Sequence, residues 1–213
     1  MVSDAPGEKL PFRRALSEDE GRLRDLLSEA ARYQATWEGE DSWPSPFPLE
    51  TLRKSIERGE TYLLEREGTP IVTLALSWED TLFWGERPPD AGYVHKLAVS
   101  RASAHQGLGV RALEWAAAQI RDRGRPWVRL DCLATNPGLV RYYGDLGFRE
   151  VGRRTLRASA QWGGRELTFV LYECPADPGP GRSPHPPGPP PDRRHGGEQL
   201  PQAHPRGGPG HPP

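Results

Sequence analysis

The 213-residue sequence contains only two cysteines, Cys132 and Cys174, a single methionine and three lysines. Two distant cysteines make neither a disulfide framework nor a zinc motif, which points to a reducing compartment. No set of His, Cys, Asp and Glu stands at metal-ligand spacing, so no metal is expected. Long apolar runs are missing as well, and nothing approaches the ~20 residues that cross a bilayer. The opening MVSDAPGEKL lacks the basic-then-apolar order of a signal peptide. The expectation is a cytoplasmic protein with no membrane partner. The formal net charge is −1, which gives no reason to expect a sequence-independent grip on nucleic acid. The 25 arginines that accompany the three lysines are scattered rather than blocked, a sign of coding composition more than of a basic patch.

Proline and glycine, by contrast, are abundant and unevenly placed. From Pro175 onward lie 14 of the 24 prolines, mixed with Gly, Arg and His and almost no large apolar side chain. Such a stretch cannot bury enough surface to offset the entropy of ordering it, so 175–213 reads as a disordered tail. Residues 1–174 then form one domain of about 170 residues.

Along that domain a short strand is expected around Leu10 to Ala15. Ser17 and Glu20 follow with capping-box spacing before a helix carrying Leu23, Leu26, Leu27, Ala30 and Ala31. A Trp- and Pro-rich loop at 36–48 leads to a shorter helix on Leu49, Leu52 and Ile56 that stops at Gly59. Two strands, TYLLERE and IVTLALSW, make a hairpin turned at GTP, and AGYVHKLAV is a third strand. The loop between, 79–90, carries Phe83 and Trp84, which either line a pocket or cover the sheet. A helix on Val110, Leu113, Ala117 and Ile120 ends at Gly124, PWVRLDC is a buried strand, and Asn136 caps a helix opened by Pro137. Strands at 149–158 and 166–172, turned at WGG, close the domain. The fold class is α/β (α+β): a mixed, mostly antiparallel sheet of about seven strands flanked by about four helices.

The stretch SAHQGLGVRALEWAAAQI puts Gly107 and Gly109 just before a helix, where bare backbone N–H groups and a helix N-terminus suit a phosphate. GLGVRA also fits the G-x-G-x-x-A of a dinucleotide fold, with Asp131 at 22 residues beyond Gly109. That fold needs further strand–helix–strand units, and here one short helix and a hairpin are all that remain.

The residues YVHKLAVSRASAHQGLGVRALEWA and WVRLDCLATNPGLVRYYGDLGF together resemble the GCN5-related N-acetyltransferase (GNAT) family, closely over about 90–150 and by element order over roughly 10–173. The family signature R/Q-x-x-G-x-G/A, which binds the pyrophosphate of acetyl-CoA, falls on Ala104, His105, Gln106, Gly107, Leu108 and Gly109, with Val110 next. Its first position, usually basic or Gln, is Ala104, and His105 stands where a glycine is common. Arg101 or Arg111 is the expected substitute for the lost charge. The resemblance further implies that Leu97, Ala98 and Val99 pair their backbone with the pantetheine arm, that Asn136 hydrogen-bonds near it, and that Tyr143 faces the thioester sulfur. It also makes a homodimer a possible assembly.

Acetyl transfer to an amine needs a proton acceptor, a donor for the oxyanion and a proton for the leaving thiolate. Tyr143 is the candidate proton donor, against a plain packing role on the stripe Leu139, Tyr143 and Leu146. His95 lies where relatives place a glutamate base, and its reference pKa of ~6.5 suits that work; its alternative is a satisfied strand histidine. Asp131 is read as structural, paired with Arg129 or another strand, and Cys132 as a packing residue. The expected function is direct transfer of acetyl from acetyl-CoA to a primary amine of a small molecule. The alternatives are a protein N-terminal or lysine acetyltransferase, or a catalytically silent acyl-CoA-binding module.

Overall fold

Apolar side chains at strand and helix periods sort this chain onto the two faces of one sheet. The computed structural model describes residues 11–38, 43–158 and 164–177. In chain order these are β1 (Arg13–Arg14), α1 (Glu20–Glu38), α2 (Leu49–Glu57), β2 (Thr61–Arg66), β3 (Thr69–Ser77), the one-turn α3 (Thr81–Trp84), β4 (Ala91–Val99), α4 (Leu108–Asp122), β5 (Trp127–Leu133), α5 (Pro137–Asp145), β6 (Arg149–Arg157) and β7 (Glu166–Pro175). The sheet order is β1-β2-β3-β4-β5-β7-β6. Neighbours run antiparallel except β4 and β5, which are parallel and joined through α4, the long crossover that parallel strands require.

One face carries Leu108, Ala112, Leu113, Ala116 and Ile120 of α4 with Tyr143 of α5, packed on Val72, Val94, Leu130 and Val170. The other carries Leu23 and Leu27 of α1 and Leu52 and Ile56 of α2 on Leu63 and Ala98. Each such Leu, Ile or Val side chain adds ~1.5–3 kcal/mol on burial, so both layers hold the sheet with β4 between them. Gly92 is fixed by closeness: a Cβ there would stand 2.4 Å from Ile120.

Several local readings need correction. The helix-start carboxylate is Asp19 rather than Glu20. A 3-10 turn at Ser17–Asp19 precedes α1, and the buried Asp19 accepts from the Leu16 N–H at 2.8 Å and from Arg13, while Glu20 pairs with Arg53. Arg13 and the Leu16 N–H hold the Asp19 carboxyl down at about 2 despite its burial. The β2–β3 turn is Glu67-Gly68, both in the left-handed region, with Thr69 and Pro70 already in β3. The loop aromatics split: Phe47 is fully buried beneath α1 and α2, and Trp84 packs on Ala91, Tyr93 and Leu171. Pro175 ends β7 and Ala176, 1% exposed, bonds to Pro126, so the folded chain passes the boundary expected at 174. The tail from 178 onward, Leu10 at the start of the expected first strand and most of the WGG turn lie outside the described residues.

Candidate active site

Pairing between β4 and β5 stops at Val94 and Leu130. Beyond that point β5 stays with β7 through Leu133, while β4 stays with β3 through Val99. The two strands part like a fork, and β4 shows unpaired backbone to the gap over 95–99. An irregularity sits just there: Thr73 pairs with Ala98 but Ala75 with His95, so β4 holds an extra residue, and Lys96 has φ 51°. A bulge of this kind bends a strand and re-aims its side chains. Leu97, Ala98 and Val99, the expected partners of a strand-like ligand, follow it and border the gap.

The gap leads to the loop before α4. Ala104 is extended, His105 is left-handed at φ 63°, and Gly107 caps α4 at φ 71° with no side-chain hydrogen bond. The positive φ at 105 is the physical reason that a glycine suits this position and that His105 is held there under some strain. A helix leaves its first N–H groups without intrahelical partners, so those of Leu108, Gly109 and Val110 stand at the positive end of a 15-residue helix. At the entrance Ser100 Oγ is buried without a partner among the described residues, a polar atom for which a ligand can supply the missing bond. These features fit an extended arm ending in phosphates. Gly109 is needed for closeness, since a Cβ there would meet the Tyr142 hydroxyl at 2.8 Å.

Of the two expected substitutes for a basic residue at 104, Arg101 does not face the loop. Arg101 is turned to α1: its N–H donates to Glu29 and its guanidinium lies 3.6 Å over the Tyr33 ring. Arg66 reaches the loop instead and donates to Gln106 Oε1 at 3.3 Å. Nothing in the local pattern around Arg66 signals this, because the contact joins residues forty apart.

At the fork His95 stands between two carboxylates. Its Nδ1 is 3.7 Å from Asp131 Oδ1 and its Nε2 is 3.7 Å from Asp80 Oδ2. Asp131 is therefore not the partner of Arg129, which bonds Asp90, Glu173 and the Tyr93 hydroxyl. Asp80, which sequence reasoning missed, caps α3 through Oδ1 on the Phe83 N–H, while its Oδ2 is buried without a hydrogen bond. Phe83 walls the site, 6.4 Å from the His95 ring and edge-on to Phe169. The three groups bring ligand atoms within 4.8 Å of one another, but each carboxylate addresses a different ring nitrogen. That arrangement suits proton sharing, whereas one ion would take one nitrogen only.

Burial, with the charge of Asp80 added, pushes Asp131 up to about 7. Burial also raises Asp80, and it pushes the His95 imidazole down to about 3 with help from Lys96. The cluster thus gathers one imidazole and two carboxylates whose protons are coupled, with Asp131 titrating near neutrality. Burial disfavours the charged carboxylate, and the neighbouring Asp80 charge adds to this.

On the other face Tyr143 is 8% exposed and packed against Phe148 and Tyr172, and burial raises its phenol pKa. Cys132 lies in the same core. Asn136 behaves as expected of a helix start: its Oδ1 accepts from the Leu139 N–H at 2.9 Å, ahead of Pro137.

The fork, the helix start at Gly107 and the polar cluster suit a group transferase whose donor is an extended, phosphate-bearing arm. Residues 22–148 match the acetyltransferase (GNAT) family, and the chain belongs to that family, whose acetyl donor is acetyl-CoA. It is 29% identical over 146 residues to an uncharacterized N-acetyltransferase, YesJ, of Bacillus subtilis, covering 65% of this chain and 81% of that one. A GNAT-family acetyltransferase from Listeria monocytogenes is similar in structure, with a TM-score of 0.60 at 25% identity over 77% of this chain and 93% of that one. The fold also matches yncA of Salmonella typhimurium, a structure with acetyl-CoA, at a TM-score of 0.57 and 16% identity, over 80% and 95% of the two chains. Among the described residues no helix is long and apolar enough to cross a membrane.

Proposed function

We propose that the protein transfers the acetyl group of acetyl-CoA to a primary amine of a small molecule by direct attack, with the Asp131–His95 pair taking the proton. The observation that carries this reading is the position of that pair at the fork of β4 and β5. Pantetheine lies along the free edge of Leu97, Ala98 and Val99 as an added strand, one of whose backbone N–H groups polarises the acetyl carbonyl. Its pyrophosphate meets the loop from Ala104 to Val110. An amine entering between Phe83 and Asp131 loses a proton to the carboxylate, which is matched to that work by its pKa of about 7. His95 orients Asp131 while joining it to Asp80. The Tyr143 phenol, kept protonated by burial, hands a proton to the departing thiolate. No covalent enzyme intermediate is needed. Thiol release from acetyl-CoA, measured across a panel of small amines and of peptides with free N-termini, tests the reading. Release with small amines is expected; binding of acetyl-CoA without release by any acceptor would make the protein a silent module.

A further inference from the structure

Of the charged side chains around the fork, Lys96 is the one with no part in the scheme above. It occupies the β4 bulge, immediately before the segment assigned to pantetheine, with a left-handed backbone that few non-glycine residues adopt. Its half-buried side chain lines a small pocket against α2 with Thr51, Ser55, Arg58 and Glu60. No ion pair holds it among the described residues, whereas the two neighbouring cations are engaged, Lys54 with Glu50 at 3.3 Å and Arg58 with Glu60 at 3.7 Å.

Composition sharpens the point. This chain uses arginine for 25 of its 28 cationic residues, so a lysine at the bulge is an exception to its own habit. An ammonium differs from a guanidinium in one chemical respect that matters here: it can give up its proton and become a nucleophile. Burial lowers the Lys96 pKa, and Arg58 adds to this against the opposing pull of Glu60, Asp131 and Asp80.

We propose that Lys96 is an internal acetyl acceptor, whose Nζ takes the acetyl group from acetyl-CoA bound along β4. The neutral amine attacks the thioester carbonyl carbon, the C–N bond forms and the C–S bond breaks. The proton shed by nitrogen passes to the Asp131 carboxylate, the Tyr143 phenol gives its proton to the thiolate to make free coenzyme A, and the proton on Asp131 returns through solvent to the phenoxide. The product is an uncharged acetyl-lysine at the wall of the pocket, so the modification removes a cation from the face that β4 turns to α2. The inference rests on the placement of acetyl-CoA proposed above.

The test exploits the presence of only Lys9, Lys54 and Lys96 in the chain. Full-length protein is incubated with isotope-labelled acetyl-CoA and no amine, and peptides are mapped by mass spectrometry. Lys96 should be acetylated at least about tenfold faster than Lys9 and Lys54, which report background chemistry. Labelling should vanish in Gly107→Glu, which puts a negative side chain in the phosphate loop, and in Lys96→Arg. Thermal melts check that both variants fold, and the comparison among the three wild-type lysines needs neither. Equal labelling of the three, or an unlabelled Lys96 in protein that acetylates small amines, overturns the proposal. A labelled Lys96 in protein that acetylates no added amine upholds it and removes the small-amine reading instead.

Discussion

Nδ1 of His95 stands 3.7 Å from Oδ1 of Asp131, across the point where β4 and β5 cease to pair. An imidazole and a carboxylate brought together from two strands at a fork carry a cost as well as a use. Asp131 titrates at about 7 in the folded protein against an ordinary 3.8, so the fold binds a proton that the unfolded chain releases. The stability associated with that proton is complete below pH ~4 and is lost as pH rises through ~7.

Asp131→Asn removes the buried charge and keeps the shape. Its melting temperature at pH 8 should exceed that of the parent, by an amount corresponding to at most ~4 kcal/mol at 1.36 kcal/mol per pKa unit. The two proteins should converge near pH 4. A variant that melts lower at pH 8 would mean that Asp131 is held ionised by a partner.

Gly109→Ala places a Cβ 2.8 Å from the Tyr142 hydroxyl. Overpacking of this sort costs ~1–3 kcal/mol, and here it pushes α5 away from the start of α4. Thermal denaturation should show the loss, and adding Tyr142→Phe, which removes the clashing oxygen, should restore part of it. Independent, additive effects of the two changes would contradict the contact.

Arg66→Ala removes the guanidinium that bonds Gln106 at the loop. A charge-assisted contact with phosphate is worth ~1.5–3 kcal/mol, so the Kd for acetyl-CoA should rise about tenfold or more. Ala104→Arg in the same background should recover the loss, while turnover of S-acetylpantetheine, which has no pyrophosphate, should not change with Arg66→Ala. Equal losses with both donors would place Arg66 in a purely structural role.

Tyr143→Phe tests the phenol as proton donor. General-acid help is typically worth 10²-fold or more, so kcat should fall by about that factor with little change in acetyl-CoA binding. Its packing against Phe148 and Tyr172 needs only the ring, and an unchanged kcat would leave Tyr143 to the core.

The strands and helices were legible wherever local chemistry acts alone. Ala91–Val99 reads as a strand from its apolar pattern, Asn136-Pro137 as a helix start, and Gly107 as the turn into α4, all as observed. What was not legible depends on distant residues. Asp80 looks like an ordinary loop acid until α3 folds over β4 and aims its Oδ2 at His95. Asp131 looks suited to the adjacent Arg129, yet Asp90 and Glu173 take that guanidinium. The extra residue at Lys96 shows only in the register against β3, and the insertion of β7 between β5 and β6 only in the sheet. At Ser17–Asp19 the capping-box spacing was present, but a preceding 3-10 turn handed the work to Asp19, where Arg13 could reach it.

If the cluster at the fork takes the proton of the attacking amine, its ionisation must show in the rate. The most direct measurement is the pH dependence of kcat/KM with an accepted amine, for the parent protein and for Asp131→Asn. The parent should show a limb that rises with pH and bends near 7, and the variant a loss of activity together with the disappearance of that limb. A variant that keeps both its rate and a bend near pH 7 would contradict it.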